Sequence, residues 1–348
     1  MPRTVLRREY IQAALGALAL VTFSLAFGRQ PEGEATSGQK GQVRLAYLPN
    51  LTHAPALIGV ADHLFQNDLS SYGFSTAVVN AGPEAMEALL AGSIDMAYVG
   101  PSPALNTYLR SEGRALKIVA GVCSGGASLL ARDGVPIKSV ADLANRRVAV
   151  PEIGGTQDVS LRHFLKLNGL APKERGGNVE VIPIKNPEIV DLFKAGQLDA
   201  AWVPEPWASR LEAEAHAHTV ADERDLWPNR RFTSTVLVAS ASFLKQHPDA
   251  VDGVVRANRE AIEFIQAYPA QAQREANGQI AKLTGRPLRD AILRSSWSHL
   301  SFGAEVDQAN LLAFARAAKD AGYGHGDPAL LASAVVPEAR LAVAESGR

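Results

Sequence analysis

Four short stretches carry the residues whose types and spacing could do chemistry: Leu51-Thr52-His53, Gly100-Pro101-Ser102-Pro103, Gly154-Gly155-Thr156-Gln157 and Pro204-Glu205-Pro206-Trp207. The first and third run into segments of helical periodicity. A helix begins with unpaired N–H groups that together carry roughly half a positive charge. Two such tips facing one cleft hold a small anion without arginine or lysine. The Gly154-Gly155 pair lets backbone approach an oxyanion closely, and the Thr156 hydroxyl can donate to it. A competing reading makes Thr52 and Thr156 ordinary N-caps and the glycines an ordinary turn. The matching positions of the two loops in a duplicated chain favour ligand contact. His53 reads either as a neutral donor or as a surface residue. Trp207, beside two prolines, reads as a cleft wall in preference to a core aromatic. Glu205 fits an anion site only beside a cation or a cationic part of the ligand. Asp158, in the first turn of its helix, is expected to point to solvent.

The duplication itself is plain in the sequence. A-G-S-I-D-M-A-Y-V-G-P-S-P from Ala91 is rewritten as A-G-Q-L-D-A-A-W-V-P-E-P-W from Ala195, at an offset of 104 residues. The same offset carries Pro83-Glu84 onto Pro187-Glu188 and Thr52 onto Thr156, and Arg44 aligns with Arg147 given one residue of slack. Each copy reads strand, helix, strand, helix, strand. In the first, strands are expected at 43–48, 75–79 and 94–99, with helices at 54–65 and from Pro83. In the second, strands are expected at 147–150, 179–184 and 198–203, with helices at 157–167 and from Pro187. Nearly continuous apolar strands suit parallel sheets covered on both faces, which bind ligands beyond the carboxyl ends of their strands.

The expected fold is therefore α/β and two-lobed, each lobe a mainly parallel sheet flanked by helices. Two hinge crossings join the lobes, one at 118–131 and the return at 231–240. Residues 42–124 and 236–348 are assigned to the first lobe and 125–235 to the second. Helices at 250–267 and 307–322 are expected on the outside of the first lobe. Arg7-Arg8 before an apolar run from Ile11 to Phe27 has the order of an export signal of the twin-arginine kind. Residues 1–28 read as that signal, either cleaved after Gly28 or kept as an anchor, and 29–41 as a flexible lead-in. The expected location is periplasmic or otherwise extracytoplasmic. With 47% apolar residues, 20% charged and a net charge of −1, nothing points to nucleic acid or an anionic membrane surface. No H-E-x-x-H, G-x-S-x-G or paired-carboxylate motif is present, and the single cysteine, Cys123, has no histidine near it in sequence. No catalytic residue, metal or cofactor is expected, and Cys123 is expected to be a buried thiol.

These motifs, with A-D-L-A-N-R-R-V-A-V-P at 141–151 and G-G-T-Q-D-V-S-L-R at 154–162, resemble the solute-binding proteins of ABC importers for nitrate, sulfonates and taurine. That group, of the type II periplasmic-binding-protein fold, also includes carriers of thiamine-precursor pyrimidines. The resemblance spans residues 43–244. It implies a monomeric, bilobed protein, not an enzyme, that captures a small anionic solute by hinge closure and delivers it to a permease in the membrane. Thr52, His53, Ser102, Gly155, Thr156, Gln157, Glu205 and Trp207 would be its contacts. The P-E-P-W wording is nearer the sulfonate branch. If Glu205 holds an ammonium while Gly155 and Thr156 hold the sulfonate, the ligand is a taurine-like amino-sulfonate; a plain alkanesulfonate would instead lay its tail on Trp207. Nitrate or bicarbonate, a pyrimidine, and a membrane-anchored sensor remain as alternatives.

Overall fold

Short aliphatic runs at the start of each repeat form strands that pair in parallel. In the computed structural model, which describes residues 40–323 and 326–336, β1 (Gln42–Tyr47) lies between β2 (Gly73–Val78) and β3 (Met96–Val99), parallel to both. β4 (Leu116–Gly125) ends this passage, and β5 (Ala127–Ala131) enters a second sheet. There β6 (Arg147–Val150) lies parallel to β7 (Glu180–Pro183) and β8 (Ala200–Pro204). After β9 (His218–Asp222) the chain returns as β10 (Thr233–Ser240), and β11 (Leu300–Phe302) adds a short edge. The strand orders are β11-β4-β10-β3-β1-β2 and β7-β6-β8-β5-β9. Each sheet is parallel across three strands, β2-β1-β3 in one and β7-β6-β8 in the other, as expected. It turns antiparallel where a crossing strand enters, β10 in one sheet and β5 in the other. Over five strands the two sheets share one topology, so the repeat in the sequence is a repeat of fold.

One ion pair marks the start of each copy. Arg44 donates from its backbone N–H (2.8 Å) and Nε (2.9 Å) to Asp95 Oδ2 and from Nη2 to Oδ1 (2.7 Å). Arg147 repeats the grip on Asp199 at 2.9, 3.3 and 3.2 Å. In both copies the aspartate N–H answers to the arginine carbonyl, at 2.9 and 3.0 Å. This fixes the register of the first and third parallel strands, and therefore the level at which their carboxyl ends stop.

The helices of the first half are α1 (Ala54–Ala61), α2 (Leu64–Asp68), α3 (Gly82–Leu90) and α4 (Pro101–Arg110). α5 (Thr156–Leu167) and α6 (Asn186–Lys194) are their counterparts in the second. α3 and α6 carry proline in the first turn and end at Gly92 and Gly196, whose φ of +70° and +69° is the left-handed stop that glycine takes freely. The helix expected at 54–65 is broken. His63 takes φ +59°, and the turn brings the Phe65 ring onto Gly59, where a Cβ would meet it at 2.6 Å. Toward the C-terminus, Pro248–Ala267 packs on α1 and α2, on the first sheet's side as expected. Gln308–Asp320 instead packs against both α4 and α5, and its Phe314 joins a continuous apolar core with Val99, Val148 and Trp202. Asp95→Asn and Asp199→Asn, measured separately by chemical denaturation, are each expected to lower the unfolding free energy by about 1–2 kcal/mol, because each removes charge-assisted bonds at a strand junction; loss in only one half would contradict the repeat.

Candidate functional site: a cavity between the two sheets

The loops that follow all six parallel strands end at one place. Leu48, Asn50, Thr52 and His53 follow β1, Asn80 to Gly82 follow β2, and Gly100 and Pro103 follow β3. From the other sheet come Pro151, Glu152 and Gly155 to Gln157 after β6, Asn186 after β7 and Pro204 at the end of β8. With Ser234 of β10 they enclose a cavity of about 50 Å³. Five pairs stand 104 residues apart: Leu48 and Glu152, Thr52 and Thr156, His53 and Gln157, Gly82 and Asn186, Gly100 and Pro204. Asn186 and Glu152, which sequence reasoning passed over, were therefore reachable by the same offset that found Thr156.

The two walls are chemically unequal. α5 begins with Thr156, Gln157 and Asp158, three residues whose N–H groups have no acceptor within the helix, and its N-cap Gly155 offers no side chain. In the first half, α1, α3 and α4 carry proline in their opening turns, which removes donors. The second half thus supplies the richer positive tip.

Thr52 and Thr156 are buried, at 3% and 5% exposure, and neither side chain caps a helix. The Thr156 hydroxyl has no partner among the described residues and rests against Gly100, where an added Cβ would meet Oγ1 at 2.3 Å. His53 is buried, and its Nδ1 accepts the Leu48 N–H at 3.3 Å, which leaves the ring proton on Nε2. Burial pushes its pKa down to about 3, so the ring is a neutral donor at ordinary pH. Ser102 stands beside the cavity: its Oγ donates to the Gly154 carbonyl across the two halves at 3.1 Å. Asp158 does not face solvent. It is fully buried, accepts the Gly154 N–H at 2.8 Å and Arg162 Nε at 2.7 Å, and is capped by the Tyr323 hydroxyl. A carboxylate so placed pins the glycine loop from beneath while Arg162 neutralises it.

Glu205 and Trp207 are not brought to the cavity. Glu205 is fully buried and accepts from Ser209 N (3.1 Å), Ser209 Oγ (3.0 Å) and His299 Nδ1 (2.7 Å). The cation it required is supplied by the protein. Trp207 donates from Nε1 to Asn50 Oδ1 at 2.9 Å, fastening one half to the other, and walls a separate groove of about 450 Å³ with Ile280, Leu283 and Ile292. Cys123 is buried, which pushes its thiol up to about 12. Among the described residues no group of three or more metal-ligating side chains gathers.

A family model described as the NMT1-like family matches residues 36–282. The chain belongs to the NMT1-like family. It is 32% identical to a Brucella abortus protein described as a binding protein, over 57% of this chain and 59% of that relative's length. The taurine-binding periplasmic protein of Escherichia coli is 26% identical over 261 residues, 74% of this chain and 77% of the other. In three dimensions, the alkanesulfonate-binding protein SsuA from Xanthomonas axonopodis pv. citri, solved with MOPS bound, matches with a TM-score of 0.71 at 21% identity. It covers 86% of this chain and 99% of its own, and shows that this NMT1-like chain has the periplasmic-binding-protein fold.

The Glu205–His299 pair makes stability depend on pH. The bond to Glu205, outweighing partial burial, holds the His299 imidazolium above its ordinary 6.5. Its contribution is therefore complete below pH 6.5 and is lost as pH rises through the raised value. Comparing wild type with His299→Asn by denaturation between pH 6 and 9 should show a wild-type advantage of about 1 kcal/mol at pH 6 that shrinks on going alkaline; an advantage independent of pH would contradict the pairing.

Proposed function

We propose that this chain is the extracytoplasmic solute-binding component of an ABC importer, and that it captures a small organic anion, a sulfonate, by closing its two halves around it. The Thr156 hydroxyl carries this reading. A buried donor without an acceptor costs about 1–3 kcal/mol, and Thr156 is in that position only where the two halves meet. A ligand oxygen beside it relieves the cost in the closed form alone. Such a difference between states is what allows a ligand to shift an open–closed balance. The α5 amides, the two threonine hydroxyls and the His53 Nε2–H form a set of donors suited to a sulfonate's three oxygens, with Gly155 admitting it closely. Ser102 and Glu205 act as fasteners of the surrounding loops, and Trp207 as the wall of the neighbouring groove.

The cavity by itself has the size for nitrate or bicarbonate. Two larger spaces share its lining at Asn80 and Asn186, one of about 400 Å³ and one of about 450 Å³, and these favour an anion with an organic remainder. The names of the taurine-binding and alkanesulfonate-binding relatives support the same choice. Delivery would be to a membrane permease by a monomer exported through residues 1–28, which lie outside the described residues. Among the described residues no helix is long and apolar enough to cross a membrane.

Thermal unfolding of the purified protein against sulfonates, nitrate, bicarbonate, sulfate and pyrimidines tests this. A sulfonate at a hundred times its Kd should stabilise by about 2.7 kcal/mol, a shift of several degrees in Tm. Thr156→Ala and Gly100→Ala are each expected to weaken it at least tenfold, the second because its methyl group keeps the halves apart. A loss of no more than twofold in Thr156→Ala would remove the α5 tip from the site.

A further inference from the structure

Glu152 brings a carboxylate to the wall of a cavity otherwise suited to an oxyanion. Among the described residues no cation pairs with it. Its surroundings are partial burial and two further carboxylates, Glu84 and Glu87, and together these hold its carboxyl above the ordinary range. The three share a cleft of about 400 Å³ that opens off the cavity past Asn80 and Asn186, with Lys185 as the one basic residue on its described walls. Asn80 serves Glu84, through its N–H at 2.8 Å and its side-chain amide at 3.2 Å.

Asn186 gives an independent indication. It is 6% exposed, lines the cavity and the acidic cleft alike, and its Oδ1 is a buried acceptor without a donor among the described residues. An acceptor lacking a donor and a carboxylate lacking a cation call for one group, a positively charged nitrogen bearing N–H bonds. Glu205, the glutamate that the sequence offered for this task, is already occupied by His299 and Ser209.

Resting on the sulfonate reading above, we propose that the cleft at Glu152 is a subsite for a cationic nitrogen, so that the solute is a zwitterion with its oxyanion at the α5 tip and its ammonium between Glu152 and Asn186. Glu84 and Glu87 stand around that ammonium and add attraction at longer range. At about 400 Å³ the cleft has room for a substituted ammonium as well as a primary one. The same carboxylates repel any solute that carries a second negative charge, so the subsite selects by exclusion as well as by attraction.

Calorimetric titration of the full chain at pH 7 with three sulfonates of matched size tests the subsite: 2-aminoethanesulfonate, 2-hydroxyethanesulfonate and ethanesulfonate. Wild type should bind the amine at least tenfold more tightly than the other two. Glu152→Gln should reduce that preference to threefold or less and raise affinity for the hydroxyl compound, since a negative charge beside the anion is gone. If Glu152→Gln does not fold, Glu87→Gln, on an exposed position of α3, should cut the preference two- to threefold. Equal binding of all three by wild type, or an undiminished preference in the folded variants, would overturn the subsite while leaving the sulfonate reading intact. Failure of wild type to bind any of the three would overturn both.

Discussion

A hydroxyl withdrawn from water must find an acceptor, and the one on Thr156 has no partner among the described residues where it meets Gly100. That contact holds only because both sheets end their parallel strands at one level and turn their loops inward. The cavity between them, about 50 Å³, has the size of one oxyanion. Its donors are hydroxyls, an imidazole kept neutral by burial, and the amides of α5. Such groups bind an anion by direction and preset position, with no strongly hydrated cation to dehydrate.

Around this point the duplication does two different things. It conserves architecture: the Arg–Asp junctions and the order of five strands recur in both halves, and the crossing strands β10 and β5 take the same place in their sheets. It diversifies chemistry: Leu48 is answered by Glu152, Gly82 by Asn186, and proline-rich helix starts by the proline-free start of α5. One wall thus offers the Thr52 hydroxyl and the His53 ring, and the other adds free helix amides and a carboxylate. The fasteners across the gap follow the repeat as well: Ser102 bonds to Gly154 and Trp207 to Asn50, where Asn50 and Gly154 stand 104 residues apart and Trp207 lies one residue beyond the equivalent of Ser102.

What the sequence disclosed follows the range of the forces involved. The repeat, the strand order within each copy and five of the cavity residues (Thr52, His53, Gly155, Thr156 and Gln157) were legible because they depend on local periodicity and on loops that directly follow strands. Asp158 was misjudged because one of its partners, Tyr323, lies 165 residues further along the chain. Glu205 was offered to the ligand because His299, 94 residues away, gave no sign of pairing with it. Asn186 and Glu152 were overlooked because their equivalents in the first copy, Gly82 and Leu48, carry no polar side chain, so the offset alone pointed to them. The break at His63 follows from the packing of Phe65 on Gly59, a contact that periodicity does not encode.

Closure around a ligand can be read as a distance. Leu90 and Ile153 are exposed residues on opposite walls of a groove of about 510 Å³ between the two halves, and the native cysteine, Cys123, is buried, so cysteines introduced at the two positions take spin labels selectively. Pulsed electron–electron resonance should show one narrow, short distance with a saturating sulfonate and a longer, broader distribution without it. Identical distributions in the two conditions would contradict closure on the solute.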